Sequence, residues 1–87
     1  MEVSGIVHLV LDKKQVTDNM SKQEVIIKTT EQYPQSIKIE FVNAKTELLN
    51  SINVGDNVTI AINLRGNLSK DGMNAYVSIQ GWKLTKN

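Results

Sequence analysis

The chain is 87 residues long, with ten Lys and Arg against nine Asp and Glu, one His, one Pro and no Cys. It reads as a single domain over residues 1–87, burying roughly 60–65% of its unfolded surface, with no apolar run near the roughly 20 residues of a membrane helix. Without cysteine there is no disulfide framework or thiolate metal site, so stability must come from the core or from self-association. A net charge of +1 excludes a protein that coats nucleic acid by bulk positive charge.

The first predicted strand carries Val3, Gly5, Val7, Leu9 and Leu11 on one parity, with Ile6 and Val10 on the other. Gly5 is the expected bulge, since a small barrel needs a first strand that curves between two neighbours. Asp12 to Ser21 is polar and reads as a hairpin loop or irregular strand end. Alternation resumes over Gln23–Thr30, with Val25, Ile27 and Thr29 opposed to Glu24, Ile26 and Lys28. Glu31 to Pro34 forms a turn, because proline has no N–H for a ladder and keeps its predecessor extended. Ser36 to Val42 then directs Ile37, Ile39 and Phe41 inward and Lys38 and Glu40 outward.

Asn43 is the expected N-cap of a short helix whose apolar stripe is Ala44, Leu48 and Ile52, with Leu49 beside them. After Asn53-Val54-Gly55-Asp56, residues Val58, Ile60, Ile62 and Leu64 define the most regular strand in the chain. Gly66 to Asn74 reads as a polar loop, and Ala75 to about Leu84 as the last strand. Val77 and Ile79 lie on one face of it, and Tyr76, Ser78, Gln80 and Trp82 on the other.

This order, β-β-β-α-β-β, predicts an all-β protein with one short helix, a five-stranded OB-fold barrel. An SH3-like barrel lacks a full helix between its third and fourth strands. The usual OB ligand surface is the outer face of strands 2 and 3, flanked by the loops joining strands 1–2 and 4–5.

Enzyme and metal signatures are absent. His8 has no second His or Cys to complete a metal site, no glycine loop precedes a helix to cradle phosphate, and the carboxylates are scattered. No cofactor is expected. Binding is better served. A turn centred on Tyr33 places Lys28 opposite Lys38 and Thr30 opposite Ser36 on the outer face. Two lysines in that relation either share a phosphate or splay into water beside Glu24 and Glu40, and Ile26 is exposed unless a base, another subunit or the flanking loop covers it. Lys13, Lys14 and Lys22 from the first loop and Arg65 and Lys70 from the last complete a candidate basic groove. Single-strand binding adds stacking rings to such a track. Phe41 is assigned to the core, Trp82 is expected to pack under the barrel rim, Tyr33 either packs on its turn or stacks a base, and Tyr76 is the better stacking ring.

The runs Glu31-Gln32-Tyr33-Pro34-Gln35, Ile39-Glu40-Phe41, Val54-Gly55-Asp56, Ile62-Asn63-Leu64-Arg65-Gly66 and Ser78-Ile79-Gln80-Gly81-Trp82 resemble a family of small bacterial and bacteriophage OB-fold proteins. That family has long been carried as a domain of unknown function, and its members are taken to be single-stranded DNA-binding proteins. The resemblance spans almost the whole chain. Family members typically follow Asn-Leu-Arg-Gly with Arg-Glu-Trp and carry Tyr-Phe in the last strand. Here Asn67-Leu68-Ser69 follows Gly66, and Val77 follows Tyr76. The resemblance implies a sequence-tolerant single-stranded DNA-binding protein supporting replication or recombination in the cytoplasm of a bacterium or a phage-infected host. The nucleic-acid contacts expected are Lys13, Lys14, Lys22, Lys28, Tyr33, Lys38, Arg65, Lys70 and Tyr76. The terminal Lys83-Leu84-Thr85-Lys86-Asn87 contains no acidic tail, so partner contacts are expected from the barrel, and its polar strand edges suggest a homo-oligomer, dimeric or higher. The competing expectations are an OB-fold protein-interaction or assembly module and an RNA-binding OB domain.

Overall fold

The computed structural model describes all residues, 1–87. The chain forms a ten-residue apolar core and six strands: β1 (Glu2–Val10), β2 (Lys14–Thr17), β3 (Met20–Thr29), β4 (Ser36–Val42), β5 (Asn57–Leu68) and β6 (Ala75–Lys86). A 3-10 helix, Asn43–Ser51, lies between β4 and β5. β1 pairs antiparallel with both β3 and β5, β5 with β6, and β3 with β4. The ring closes through one parallel bridge, Glu40 beside Gln80. Five strands thus form the partly open barrel expected of an OB-fold, and β2 is a sixth, short strand where the sequence suggested a hairpin loop or irregular strand end, added to the start of β3.

The core follows the predicted alternation in most places. Val25, Ile27, Ile39, Phe41, Val58, Ile60 and Ile62 are buried, with Ile37 packed at the margin. Where one strand is shared by two neighbours, local geometry departs from expectation. The bulge in β1 falls between Val7 and Leu9, at His8, and not at Gly5. One extra residue there reverses parity, so Val10 turns to the core while Leu9 is exposed. Gly5 has a different task. It pairs with Thr29 on one side and Val58 on the other, and a Cβ would overlap the Lys28 carbonyl oxygen and lie 2.9 Å from its carbon. At the opposite side of the barrel the Phe41 ring fills the space above Gly81, where a Cβ would come within 2.6 Å of Cε2.

The helix is 3-10 because its buried positions recur every third residue: Thr46, Leu49 and Ile52 are buried, while Ala44 is exposed. Asn43 is not its cap. It takes a positive φ of 52°, a conformation asparagine tolerates better than most residues, and its Oδ1 accepts a hydrogen bond from the Ser21 N–H at 3.0 Å. The cap position is Val42, and the Thr46 hydroxyl donates to the Asn43 carbonyl at 2.8 Å. This helix is too short to cross a membrane.

Beyond the barrel β5 and β6 continue as a two-stranded arm. Residues 66–68, expected in a loop, are ladder residues, with Gly66 opposite Val77 and Leu68 opposite Ala75. The Cα radius of gyration is 13.7 Å and the longest extent 41 Å, against about 12 Å for a compact chain of this length. The projecting arm accounts for the difference.

Candidate nucleic-acid interface

The outer face of β3 and β4 is built by strict alternation, so Glu24, Ile26 and Lys28 share it with Lys38 and Glu40. The register differs from the sequence expectation by two residues. Lys28 faces Ser36 and Lys38 faces Ile26, because the turn is drawn in by Thr29, whose N–H donates to the Gln35 carbonyl at 2.9 Å while its hydroxyl accepts from the Gln35 N–H at 2.8 Å. The Lys28–Lys38 opposition is therefore absent. Instead the charges cross diagonally: Lys38 Nζ lies 3.6 Å from Glu24, and Lys22 Nζ lies 3.6 Å from Glu40. Ile26 is half-buried beneath these chains and not exposed.

Gln80 extends this face onto β6, its amide donating to the Glu40 carboxylate at 3.1 Å. Ser78 and Tyr76 follow two and four residues earlier on the same side, with Arg65 opposite Ser78 and Asn67 opposite Tyr76. The result is one polar track. It runs from Lys14 and Lys22, cross-strand neighbours, over Lys38, Glu40 and Gln80, and out along the arm to Arg65 and Tyr76. A shallow cleft of about 310 Å³ between Lys22, Glu24, Lys38, Glu40 and Val77–Ile79 marks its centre. A second, more open one of about 530 Å³ lies at the arm tip, lined by Leu68, Ser69, Lys70, Asp71 and Tyr76.

Of the sequence-predicted contacts, Lys14, Lys22, Lys38, Arg65, Lys70 and Tyr76 lie along this track. Lys13 is exposed just before β2, at its entrance. Lys28 and Tyr33 sit at the other end of the β3–β4 hairpin, Tyr33 at its tip and 75% exposed. Tyr76 is 63% exposed, with its ring beside Lys70 in the tip cleft. Trp82 is not packed under the rim. It is the extra residue of a bulge, between Lys83 opposite Ala61 and Gly81 opposite Ile62, and remains 46% exposed. His8, the β1 bulge residue, is also exposed. Sequence reading missed Gln80 and Ser78 as track residues, because only the parallel β4–β6 bridge brings them beside Glu40.

The arm tip is shaped by Asp71. Its carboxylate accepts from the Ser69 hydroxyl at 2.6 Å and from the Met73 N–H at 3.0 Å, and these bonds hold its pKa below the ordinary aspartate value of 3.8. Asp56, at the opposite end of the barrel, is lowered likewise by the Asn53 N–H and then by Lys86. A carboxylate whose native pKa lies below its unfolded one stabilises the native state above the unfolded value, and that contribution is lost as pH falls through the native value. Urea midpoints are therefore expected to be level from neutrality to about pH 4 and to fall below it. Asp56→Asn with Asp71→Asn should make that acid limb shallower; an unchanged limb would show that these two groups do not set it.

The sequence from residue 2 to residue 85 matches a family model described as a domain of unknown function, DUF3127. No curated protein matches it. Among the 55 chains of solved structures that match, a small single-stranded DNA-binding protein from Streptomyces coelicolor aligns with a TM-score of 0.60 and 12% identity, covering 100% of this chain and 92% of that one. At that identity the likeness is one of fold, and it agrees with the OB barrel described above.

Proposed function

The chain belongs to the DUF3127 family, a domain of unknown function, and from its site we propose that it is a non-catalytic, sequence-tolerant single-stranded DNA-binding protein of the bacterial cytoplasm, serving replication or recombination of a bacterium or its phage. The observation that carries this reading is the continuous track on the outer barrel face and the arm, which combines lysines with an exposed ring as single-strand binding requires. The fold it shares with a protein described as single-stranded DNA-binding supports the same reading.

The track is close to neutral at its centre, and that has a measurable meaning. Both ion pairs, at 3.6 Å, are of the partly exposed kind that contributes only about 0–1 kcal/mol. A phosphate can displace either carboxylate at little cost. Tyrosine and tryptophan fluorescence titrated with oligothymidine at several salt concentrations should give saturable binding that weakens with salt. Glu24→Gln with Glu40→Gln should tighten binding and steepen the salt dependence, by up to about 0.7 in slope for each added phosphate contact on a single strand. The absence of saturable, salt-sensitive binding at micromolar protein overturns the proposal, and a matched RNA oligomer that competes better than DNA would redirect it to RNA.

A second reading, a protein-interaction module, is favoured by one observation. Leu64, Leu68 and Val77, of opposite parity to Tyr76 and Ser78, form an open apolar arm surface at 57%, 73% and 68% exposure, with Leu68 and Val77 reaching the rims of the two clefts. A pull-down that survives nuclease, with a null titration, selects it.

A further inference from the structure

The outer edge of the arm strand β5 is unpaired and self-complementary, and we propose that it joins a second copy of this chain in an antiparallel, two-fold pairing centred on Gly66.

Hydrogen-bond phase identifies which backbone groups are free. The Ser69 N–H donates to the Asn74 carbonyl at 2.9 Å, so in the unshifted ladder back to Ile62 it is the odd-numbered residues 67, 65 and 63 that bond to β6. The even-numbered ones face the other way. Ile62 agrees, its N–H donating to the Met1 carbonyl at 2.8 Å on that outer side. From there β1 no longer accompanies β5, and the N–H and C=O groups of Leu64, Gly66 and Leu68 have no partner within the chain.

These three residues are symmetric about Gly66. A dyad there sets Gly66 against its own copy, Leu64 against Leu68, Arg65 against Asn67 and Asn63 against Ser69. Every apolar residue meets an apolar one, every polar residue a polar one, and no like charges oppose each other. The isologous pair would form about six backbone hydrogen bonds, two for each outward residue pair. A dyad on Arg65 would instead oppose two arginines, and one on Leu64 would run the partner's strand into the edge that Met1 occupies. With the dyad on Gly66 the partner's strand reaches its turn at Ser69 before that point. The edge is lightly protected: between Ile62 and Leu68 it has no proline or lysine and a single charge, Arg65, whereas the free β2 edge begins with Lys14. An isolated two-stranded ribbon is marginal in water, and four strands are not. In the pair both polar faces, each with Arg65 and Tyr76, point to the same side.

Sedimentation velocity of the full chain at micromolar to submillimolar concentration should give twice the 9.7 kDa chain mass. Gly66→Pro removes an N–H that the β5–β6 ladder does not use, at a strand edge where proline is tolerated. It should raise the dimer dissociation constant at least about tenfold, with an unchanged far-ultraviolet spectrum. Leu64→Lys with Leu68→Lys, which sets lysine opposite lysine, should do the same without touching the backbone. In a chain free of cysteine, Gly66→Cys should oxidise to a covalent dimer much faster than Asn19→Cys on an exposed turn. A monomer throughout that range, a dimer indifferent to both arm variants, or equal oxidation of the two cysteine variants would overturn the proposal. None of these outcomes bears on whether the monomer binds DNA.

Discussion

Gly5→Ala is expected to be the most damaging single substitution in the barrel. β1 is hydrogen-bonded to β3 on one side and β5 on the other, and Gly5 is paired on both sides, with Thr29 and with Val58. The obstruction a Cβ meets is backbone: the Lys28 carbonyl, and the Thr29 Cα at 3.1 Å. No rotamer change relieves that, so β1 and β3 must separate locally and the pairs flanking Gly5 weaken together. Overpacking of this kind costs typically 1–3 kcal/mol, occasionally more, and the upper part of that range applies where the neighbour cannot yield. Only 14 of the 87 residues are buried, so a loss of that size is a large part of the few kcal/mol a small domain has. Urea unfolding should show a midpoint lowered by a corresponding amount with the same slope. A change below about 0.5 kcal/mol, the range of ordinary surface substitutions, would mean that the β1–β3 contact is looser than its geometry.

For binding, Tyr76→Ala should have the largest effect. Base-on-ring stacking contributes about 1–3 kcal/mol per base, so the dissociation constant for oligothymidine should rise about 5- to 150-fold. Because a ring neutralises no phosphate, the salt slope should stay the same. Lys38→Ala should behave in the opposite way, with a modest loss of affinity and a slope smaller by about 0.7. The two variants separate stacking from charge on one track. Tyr76 is exposed and pairs only through its backbone with Asn67, so its replacement should shift stability by no more than about 0.5 kcal/mol. A Tyr76→Ala protein that binds as tightly as wild type would remove the arm from the interface.

The residues that sequence reasoning placed well are those whose environment is set by the strand they occupy. Val25 and Ile27, Ile39 and Phe41, Val58 and Ile60 alternate with polar neighbours, and period two leaves one face for the core. The errors cluster where two strands must agree. Register between β3 and β4 depends on how Thr29 and Gln35 close their turn, a matter of hydrogen bonds that composition does not encode. A glycine in a strand, such as Gly5, signals either a bend or a close approach, and only the neighbour's position distinguishes them. In the helix the sequence admits a period of four, Ala44, Leu48 and Ile52, as well as the period of three that its burial has, Thr46, Leu49 and Ile52. Trp82 shares the parity of Tyr76, Ser78 and Gln80, and as the extra residue of a bulge it stays at the surface and does not fold under the rim.

By itself the amino-acid sequence determined that this is a near-neutral, cysteine-free β chain with a helix in its middle, and so an OB barrel, because alternation and chain order are local properties that survive without coordinates. It also supplied the inventory of the interface: the lysines, Arg65 and Tyr76. Which of them act together was decided by tertiary structure alone. The parallel bridge of Glu40 and Gln80 joins the barrel face to the arm, the diagonal ion pairs neutralise the lysines at its centre, and the β1–β5 ladder, which reaches only as far as Ala61, leaves Leu64, Gly66 and Leu68 unpaired. Each of these is a contact between residues distant in the chain, and no local pattern contains the register that brings them together.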